Sequence, residues 1–377
     1  MTGISGARIE TEGATPEKAT ALAADLVYVA DDVPGIRRLG RGRGFHYVGP
    51  NGKTIRDEQM LARIRALAIP PAWTDVWITT EPRGHLQATG RDARGRKQYR
   101  YHAEWQAARG ETKYERLSEI ARLLPRLRER IEQDMKKPPP SRPRVMATVV
   151  NLLETTLIRI GNKEYAAAND SYGLTTLRDK HVQIDGDKVK LEFRGKSGKT
   201  WQLSLLDRRI ARTVRMCQEL PGQHLFQYVE DGERYAITST EVNAYIREAS
   251  NSEVTAKEIR TWAGTVLAAA ELAAAEPPQN KSHAKRIVSA AVKRVAALLG
   301  NTPTVCRKSY VHPAVIEAYL EDRLAPAFSR RKAAGGLRAE ERAVLALLES
   351  SASQDRGRSS AAANDGGGQM ATAGAAR

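Results

Sequence analysis

Apolar residues are distributed in two textures along this chain. As far as about residue 102 they fall mainly in short, alternating, aromatic-rich runs, and after that they form helical stripes interrupted by one compact β-meander. Phe45-His46-Tyr47-Val48 and Val76-Trp77-Ile78-Thr79-Thr80 are rich in aromatic and β-branched residues and predict strands. Gly49-Pro50-Asn51-Gly52 reads as a turn between them. Asp57 to Ala68 places Met60, Leu61, Ile64 and Leu67 at helical spacing and stops at Pro70-Pro71. His85 to Thr89 is a further strand candidate, and residues 1–35 are polar and poorly patterned. The pattern therefore predicts a small β-rich first domain.

Beyond Ala103 the period becomes helical. Tyr114 to Asp134 reads as one amphipathic helix, ended by Pro138-Pro139-Pro140-Ser141-Arg142-Pro143, where composition alone places a domain boundary. Val145 to Ile160 carries a second apolar stripe through Val145, Val149, Leu152, Leu153 and Ile160. A meander of period two follows: His181 to Ile184, the hairpin turn Asp185-Gly186, Val189 to Phe193, a longer turn over Arg194–Lys199, and Trp201 to Leu205. Lys196 falls at the tip of that second hairpin. Four helices are predicted next. Asp207 caps the first, Thr238/Glu241 and Thr255/Glu258 form capping boxes, and Lys285 to Leu299 ends at Gly300. Tyr310 is expected in a loop or short turn just before His312-Pro313, which opens another helix. From about Ser329 the chain becomes Arg-, Ala-, Ser- and Gly-rich, and residues 351–377 are expected to be disordered.

Charge narrows the choice of partner. The 377 residues carry 60 Lys+Arg against 44 Asp+Glu, a net +16 with pI ≈ 9.9. Such a balance favours a polyanion, nucleic acid first and acidic lipid second. Cys217 and Cys306 are the only cysteines and suggest neither a disulfide framework nor a zinc site. The first twenty residues lack an apolar signal core, and no run approaches the length of a membrane span. These features predict a soluble protein of a reducing, cytoplasmic compartment.

Two constellations carry chemistry. In Gly90 to His102, Arg91, Arg94, Arg96, Lys97 and Arg100 face the single acid Asp92, with Gln98, Tyr99 and Tyr101 interleaved. On a strand Tyr99 and Tyr101 share one face. Cations hold phosphates there, while tyrosine and glutamine reach sugars and base edges. The second constellation is Arg159, Lys196, Arg260 and Tyr310, with Lys257 three residues before Arg260 on neighbouring positions of one helix face. Taken singly these are a surface cation, a solvated lysine and a core tyrosine. Their order and local sequences give them meaning together. Gly195-Lys196-Ser197-Gly198-Lys199-Thr200 ends like a phosphate-binding loop. That pattern requires glycine where Phe193 stands and a helix where a strand is predicted, so no nucleotide site is expected. No metal-binding motif is present in the sequence, and no cofactor is called for.

The local sequences resemble those of the small type IB DNA topoisomerases, the poxvirus and bacterial group. Leu-Glu-Thr-Thr-Leu-Ile-Arg159-Ile-Gly-Asn-Lys-Glu-Tyr165 is similar to the family's first-arginine segment, and Tyr-Gly-Leu-Thr-Thr-Leu-Arg-Asp-Lys-His181 to the segment leading into its sheet. Phe-Arg-Gly-Lys196, Lys257-Glu-Ile-Arg260-Thr-Trp and Gly300 to Tyr310 resemble its lysine hairpin, Lys-x-x-Arg helix and tyrosine segment. Gln98-Tyr99-Arg100-Tyr101 resembles its amino-terminal DNA-contact strand.

The resemblance implies an α+β fold: a β-rich domain over 39–108 after an extension 1–38, a mostly helical catalytic domain over 109–328 with a three-stranded antiparallel sheet, and a low-complexity tail over 329–377. The proline run becomes an internal loop, and the two domains close as a C-shaped clamp on DNA. It further implies a monomer that relaxes double-stranded DNA. Tyr310 is the nucleophile, Arg159 and Arg260 the phosphate clamp, Lys196 the general acid and Lys257 a relay. Arg91, Lys97, Gln98, Tyr99, Tyr101 and Tyr165 are the DNA contacts. Where poxvirus enzymes carry histidine, this chain has Asn301, an uncharged donor to the phosphate. A tyrosine recombinase shares this chemistry but usually shows His-x-x-Arg at the second arginine, where Lys257 to Arg260 stands here. A non-enzymatic DNA-binding protein is the alternative from another class.

Overall fold

The computed structural model describes residues 21–365, apart from 23, 43, 107, 109–113 and 115, with side chains to residue 353. The expected extension up to residue 20 and the end of the tail beyond residue 365 lie outside the described residues. The chain divides into two compact units, one up to residue 115 and one from Arg116.

The first unit is built on a sheet of β1 (Ile36–Arg41), β2 (Gly44–Val48), β3 (Thr74–Ile78), β4 (Leu86–Arg91) and β5 (Lys97–Tyr101), in the order β2-β1-β3-β4-β5 and antiparallel throughout. Helix α1 (Glu58–Ala66) starts at Asp57, whose carboxylate accepts from Met60 N at 2.7 Å. Its Ile64 packs with Ile36, Val76, Ile78 and Ala88.

Strand β1 was not legible. Ile36-Arg37-Arg38-Leu39-Gly40-Arg41 has neither alternation nor β-propensity. It is held from outside, because Arg38 is buried and donates to Pro70 O at 3.1 Å and Trp73 O at 2.6 Å. Leu26 packs with Trp105, and Val27 bridges Gly84. Leu26, Val27 and β1 thus all take part in the packing of this unit.

In the second unit, α2 (Leu117–Asp134) and α3 (Arg142–Thr156) flank the proline loop, followed by short α4 (Lys163–Asn169). The meander is β6 (Val182–Asp185), β7 (Lys188–Arg194) and β8 (Thr200–Leu206), antiparallel in that order. Val189, Leu191 and Phe193 are buried on one face of it, while the alternate residues are exposed. Next come α5 (Arg208–Gln218), a hairpin of β9 (Gln227–Glu230) and β10 (Glu233–Ala236) that the sequence did not announce, and α6 (Ser239–Ser250). The chain continues through α7 (Ala256–Ala273), α8 (Lys281–Leu298), α9 (Pro303–Ser309), α10 (Pro313–Leu320), α11 (Leu324–Ser329) and α12 (Ala339–Asp365).

Helix α7 is the axis of this unit. It packs against α2, α3, α8, α10, α11 and α12. Its buried positions Ala256, Ile259, Arg260, Thr261, Trp262, Gly264, Thr265, Ala268, Ala269 and Leu272 run round much of its circumference. A helix enclosed on most sides needs small residues where neighbours approach closely, which is what its Ala, Gly and Thr supply.

Helix α12 departs from the expected tail. Ala343, Val344, Leu347 and Leu348 are buried at i, i+1, i+4 and i+5, a helical stripe concealed by the bias of the surrounding sequence. Glu341 anchors its start: Arg128 Nη2 lies 2.6 Å from Glu341 Oε1 and also pairs with Glu154. Cys217 and Cys306 are free and buried. Among the described residues no helix is long and apolar enough to cross a membrane, and no cluster of His, Cys, Asp and Glu could hold a metal ion.

Candidate active site

Arg159 is placed by a reversal of the backbone. The apolar stripe predicted helix as far as Ile160, but α3 ends at Thr156, and Leu157 takes the left-handed conformation with φ 58°. The chain then runs extended, and a second strand of backbone fixes it: Leu174 N donates to Arg159 O at 2.9 Å and Thr175 N to Ile160 O at 2.7 Å. This contact depends on glycine. A Cβ on Gly173 would lie 2.5 Å from Arg159 O.

The Arg159 side chain turns toward the end of α8. Its Nη2 donates to Gly300 O at 3.1 Å and to the side-chain oxygen of Asn301. Burial lowers the Arg159 pKa, with Tyr310 and Tyr165 opposing the shift.

Arg260 enters from the first turns of α7 and is 3% exposed, with Nη2 donating to Leu299 O at 2.9 Å. Its Nη1 is buried and has no hydrogen-bond partner of good geometry among the described residues, although the Tyr310 side chain is near enough to favour the charged guanidinium. Its guanidinium carbon lies 5.8 Å from the centre of the Tyr310 ring. Burial pushes the Arg260 pKa down to about 10, with Tyr310 opposing and Arg159 adding to the shift, so it remains a cation at neutral pH. Asn301 is likewise buried. Its Oδ1 is occupied by Arg159, which leaves Nδ2 as a buried donor without a partner. Arg260 Nη1 and Asn301 Nδ2 are both buried donors that an acceptor reaching them would satisfy.

Tyr310 stands in a turn just before His312-Pro313, as expected, and caps the C-terminus of α9, a two-turn helix that the sequence did not announce. Thr302 caps the other end, accepting from Val305 N at 3.3 Å. Two residues that the sequence reading missed hold the tyrosine. The hydroxyl of Thr265, fully buried on α7, donates to Tyr310 O and accepts from His312 N, both at 3.2 Å. Gly264 lets that backbone approach, since a Cβ there would stand 2.8 Å from Tyr310 O.

Lys196 sits at the tip of the β7–β8 turn, exposed, with its ammonium 6.0 Å from the Tyr165 ring centre. Lys257 is exposed on the first turn of α7. Arg159, Tyr165, Lys196, Lys257, Arg260 and Tyr310 all line one cleft of about 390 Å3. Asn301 adjoins it through Arg159. Lys199, also missed, reaches Asn301 O at 2.8 Å.

This chain matches the family described as "Eukaryotic DNA topoisomerase I, catalytic core" over residues 102–331, and "Bacterial DNA topoisomerase IB, N-terminal domain" over 44–92. It belongs to the type IB DNA topoisomerase family. DNA topoisomerase 1B of Acanthamoeba polyphaga mimivirus is 32% identical over 294 residues, covering 76% of this chain and 87% of its own. DNA topoisomerase 1B of vaccinia virus (strain Copenhagen) is 22% identical over 265 residues, covering 67% and 80%. DNA topoisomerase 1 of rabbit fibroma virus is 21% identical over 299 residues, covering 74% and 90%. The protein is thus a type IB DNA topoisomerase enzyme with DNA as its substrate.

The basic, tyrosine-bearing constellation of this topoisomerase lies in its first unit, around edge strand β5. Tyr99 is 47% exposed and stacks on Tyr101 at 5.9 Å, on one face of the strand. Three of the cations around them are already paired: Lys97 with Asp31 at 2.6 Å, Arg96 with Asp92 at 2.7 Å, and Arg91 with Asp75 at 3.5 Å. Gln98 donates to Asp92 at 3.0 Å.

Proposed function

We propose that this enzyme relaxes supercoiled double-stranded DNA by attack of Tyr310 on a backbone phosphorus. The supporting observation is the convergence of Tyr310, Arg159, Arg260, Lys196 and Lys257 on one cleft. The Tyr310 oxygen–phosphorus bond forms as the bond to the 5′ oxygen breaks, leaving a 3′-phosphotyrosyl ester. A neutral phenol, with a reference pKa of about 10, is a weak nucleophile. Arg159 and Arg260 hold the non-bridging oxygens and stabilise the charge that develops on them. The buried donors Arg260 Nη1 and Asn301 Nδ2 supply hydrogen bonds to the same oxygens. Asn301 thus stands in for a histidine without needing charge.

Lys196 protonates the departing 5′ oxygen, with Lys257 as a second member of the relay. The ester conserves the energy of the phosphodiester, so religation needs no ATP, and torsion relaxes by swivelling while the strand is open. Arg91, Lys97, Gln98, Tyr99 and Tyr101 contact the duplex from the first unit and Tyr165 from the second. The enzyme acts as a monomer at the nucleoid in the cytoplasm.

The test is relaxation of plasmids of both supercoil signs in EDTA without ATP, wild type beside Tyr310→Phe. The wild type is expected to relax both and to form a denaturant-stable adduct. The variant is expected to bind DNA and do neither. A covalent adduct formed by Tyr310→Phe would reject the assignment.

A further inference from the structure

Three successive carbonyls at the end of α8 each hold one cation. Leu299 O accepts from Arg260, Gly300 O from Arg159, and Asn301 O from Lys199 at 2.8 Å. The end of a helix, where carbonyls lack intrahelical partners, draws cations. Two of these three are the arginines that the proposed mechanism already uses, whereas Lys199 does not line the cleft.

Lys199 closes the loop that carries Lys196. Its carbonyl accepts from Gly195 N at 2.7 Å, and Gly198 N donates to Gly195 O at 3.1 Å. Between these bonds Ser197 and Gly198 take φ of 64° and 75°, so the tip is a tight left-handed turn. Trp201 presses the same hairpin against Gly300: a Cβ on that glycine would be 2.6 Å from the indole. The base of the hairpin is thereby docked onto Gly300 and Asn301, the residues that orient Arg159, and the exposed Lys196 projects from it into the cleft.

We propose that Lys199 is a positioning residue for proton transfer. By gripping Asn301 O it fixes the β7–β8 turn relative to the arginine clamp and so sets the Lys196 ammonium at the leaving 5′ oxygen. In that step the pair of electrons of the breaking phosphorus–oxygen bond goes to the 5′ oxygen, which takes the proton from Lys196 Nζ. The inference rests on the reading of Lys196 as the general acid.

The experiment is single-turnover cleavage by the full chain of two duplexes, one with an ordinary 5′ oxygen at the scissile bond and one with sulfur in its place. A thiolate, with a thiol pKa of about 8.5, leaves without protonation. Lys199→Met is expected to cleave the oxygen duplex about 10-fold more slowly, a fraction of what a general acid contributes. On the sulfur duplex it should return to within about threefold of wild type, given that leaving-group protonation is no longer limiting. Lys196→Ala should show a larger loss and the same rescue, Arg159→Ala no rescue, and Lys199→Arg near-wild-type rates on both.

If Lys196→Ala is not rescued by sulfur, the general-acid reading fails and this inference with it. If Lys196→Ala is rescued but Lys199→Met is equally slow on both duplexes, Lys199 serves the clamp or the fold and the inference alone is overturned. An unslowed Lys199→Met overturns it as well.

Discussion

Gly264→Ala isolates the geometry of the proposed nucleophile, Tyr310, from its chemistry. The added methyl would lie 2.8 Å from Tyr310 O, 3.0 Å from Leu299 Cδ1 and 3.2 Å from Tyr310 Cβ. Carbon–oxygen contacts of this kind settle at about 3.3–3.6 Å, so the Tyr310 backbone must retreat from α7 by roughly 0.5–0.8 Å. A misplacement of about 1 Å costs on the order of 10²-fold in rate, which sets the expected loss of cleavage at about 10- to 100-fold.

Folding is affected less. Alanine gains about 1 kcal/mol over glycine in a helix interior, against about 1–3 kcal/mol for overpacking. The variant should melt within a few degrees of wild type and bind DNA as tightly. The assay is single-turnover formation of the covalent adduct at saturating enzyme, read on a denaturing gel, beside a binding titration. A rate within threefold of wild type would show that the fit of Gly264 to Tyr310 has no bearing on attack.

Asn301→Asp keeps an oxygen for Arg159 but removes the buried amide donor and adds negative charge. Its cleavage rate should fall by about 10²–10³-fold, as for loss of one oxyanion donor, with Asn301→His less impaired in the same assay. Burial holds His312 neutral, with a pKa of about 4 against 6.5 unperturbed. The unfolded chain therefore binds the proton first, and stability present above pH 6.5 is lost as pH falls towards 4, by at most about 3 kcal/mol. His312→Asn retains a side-chain acceptor for the cap of α10 and should flatten the melting temperature across that window. Arg128→Met leaves Glu154 and Glu341 without their shared cation and should destabilise the second unit by about 3–5 kcal/mol in chemical denaturation.

Much of this fold is written in local signals. Capping boxes at Thr238 and Thr255 begin α6 and α7 where expected, and the alternation Val189-Leu191-Phe193 gives the middle strand of the meander. Where tertiary contacts override local preference, the sequence is silent. Strand β1 exists because Arg38 spends its donors on distant carbonyls, and α12 because four apolar residues in a biased segment find α7. The cleft was readable as a set of ordered motifs whose members are brought together by the fold. Gly264, Thr265 and Lys199 were not readable. Each acts through a neighbour's backbone, and a carbonyl is the same in every residue.

The carboxylates beside β5 change what a salt titration would count. Were Arg91 and Lys97 to meet phosphates as proposed, each would first release a counter-charge supplied by the protein itself, Asp75 or Asp31. Binding through this strand is then an exchange of partners, and the bulk ions set free by the duplex are partly balanced by the acids left uncovered. The ionic-strength exponent of association should fall short of the number of cations at the interface. Neutralising Asp31 would make it steeper by close to one ion, with no new contact to the DNA.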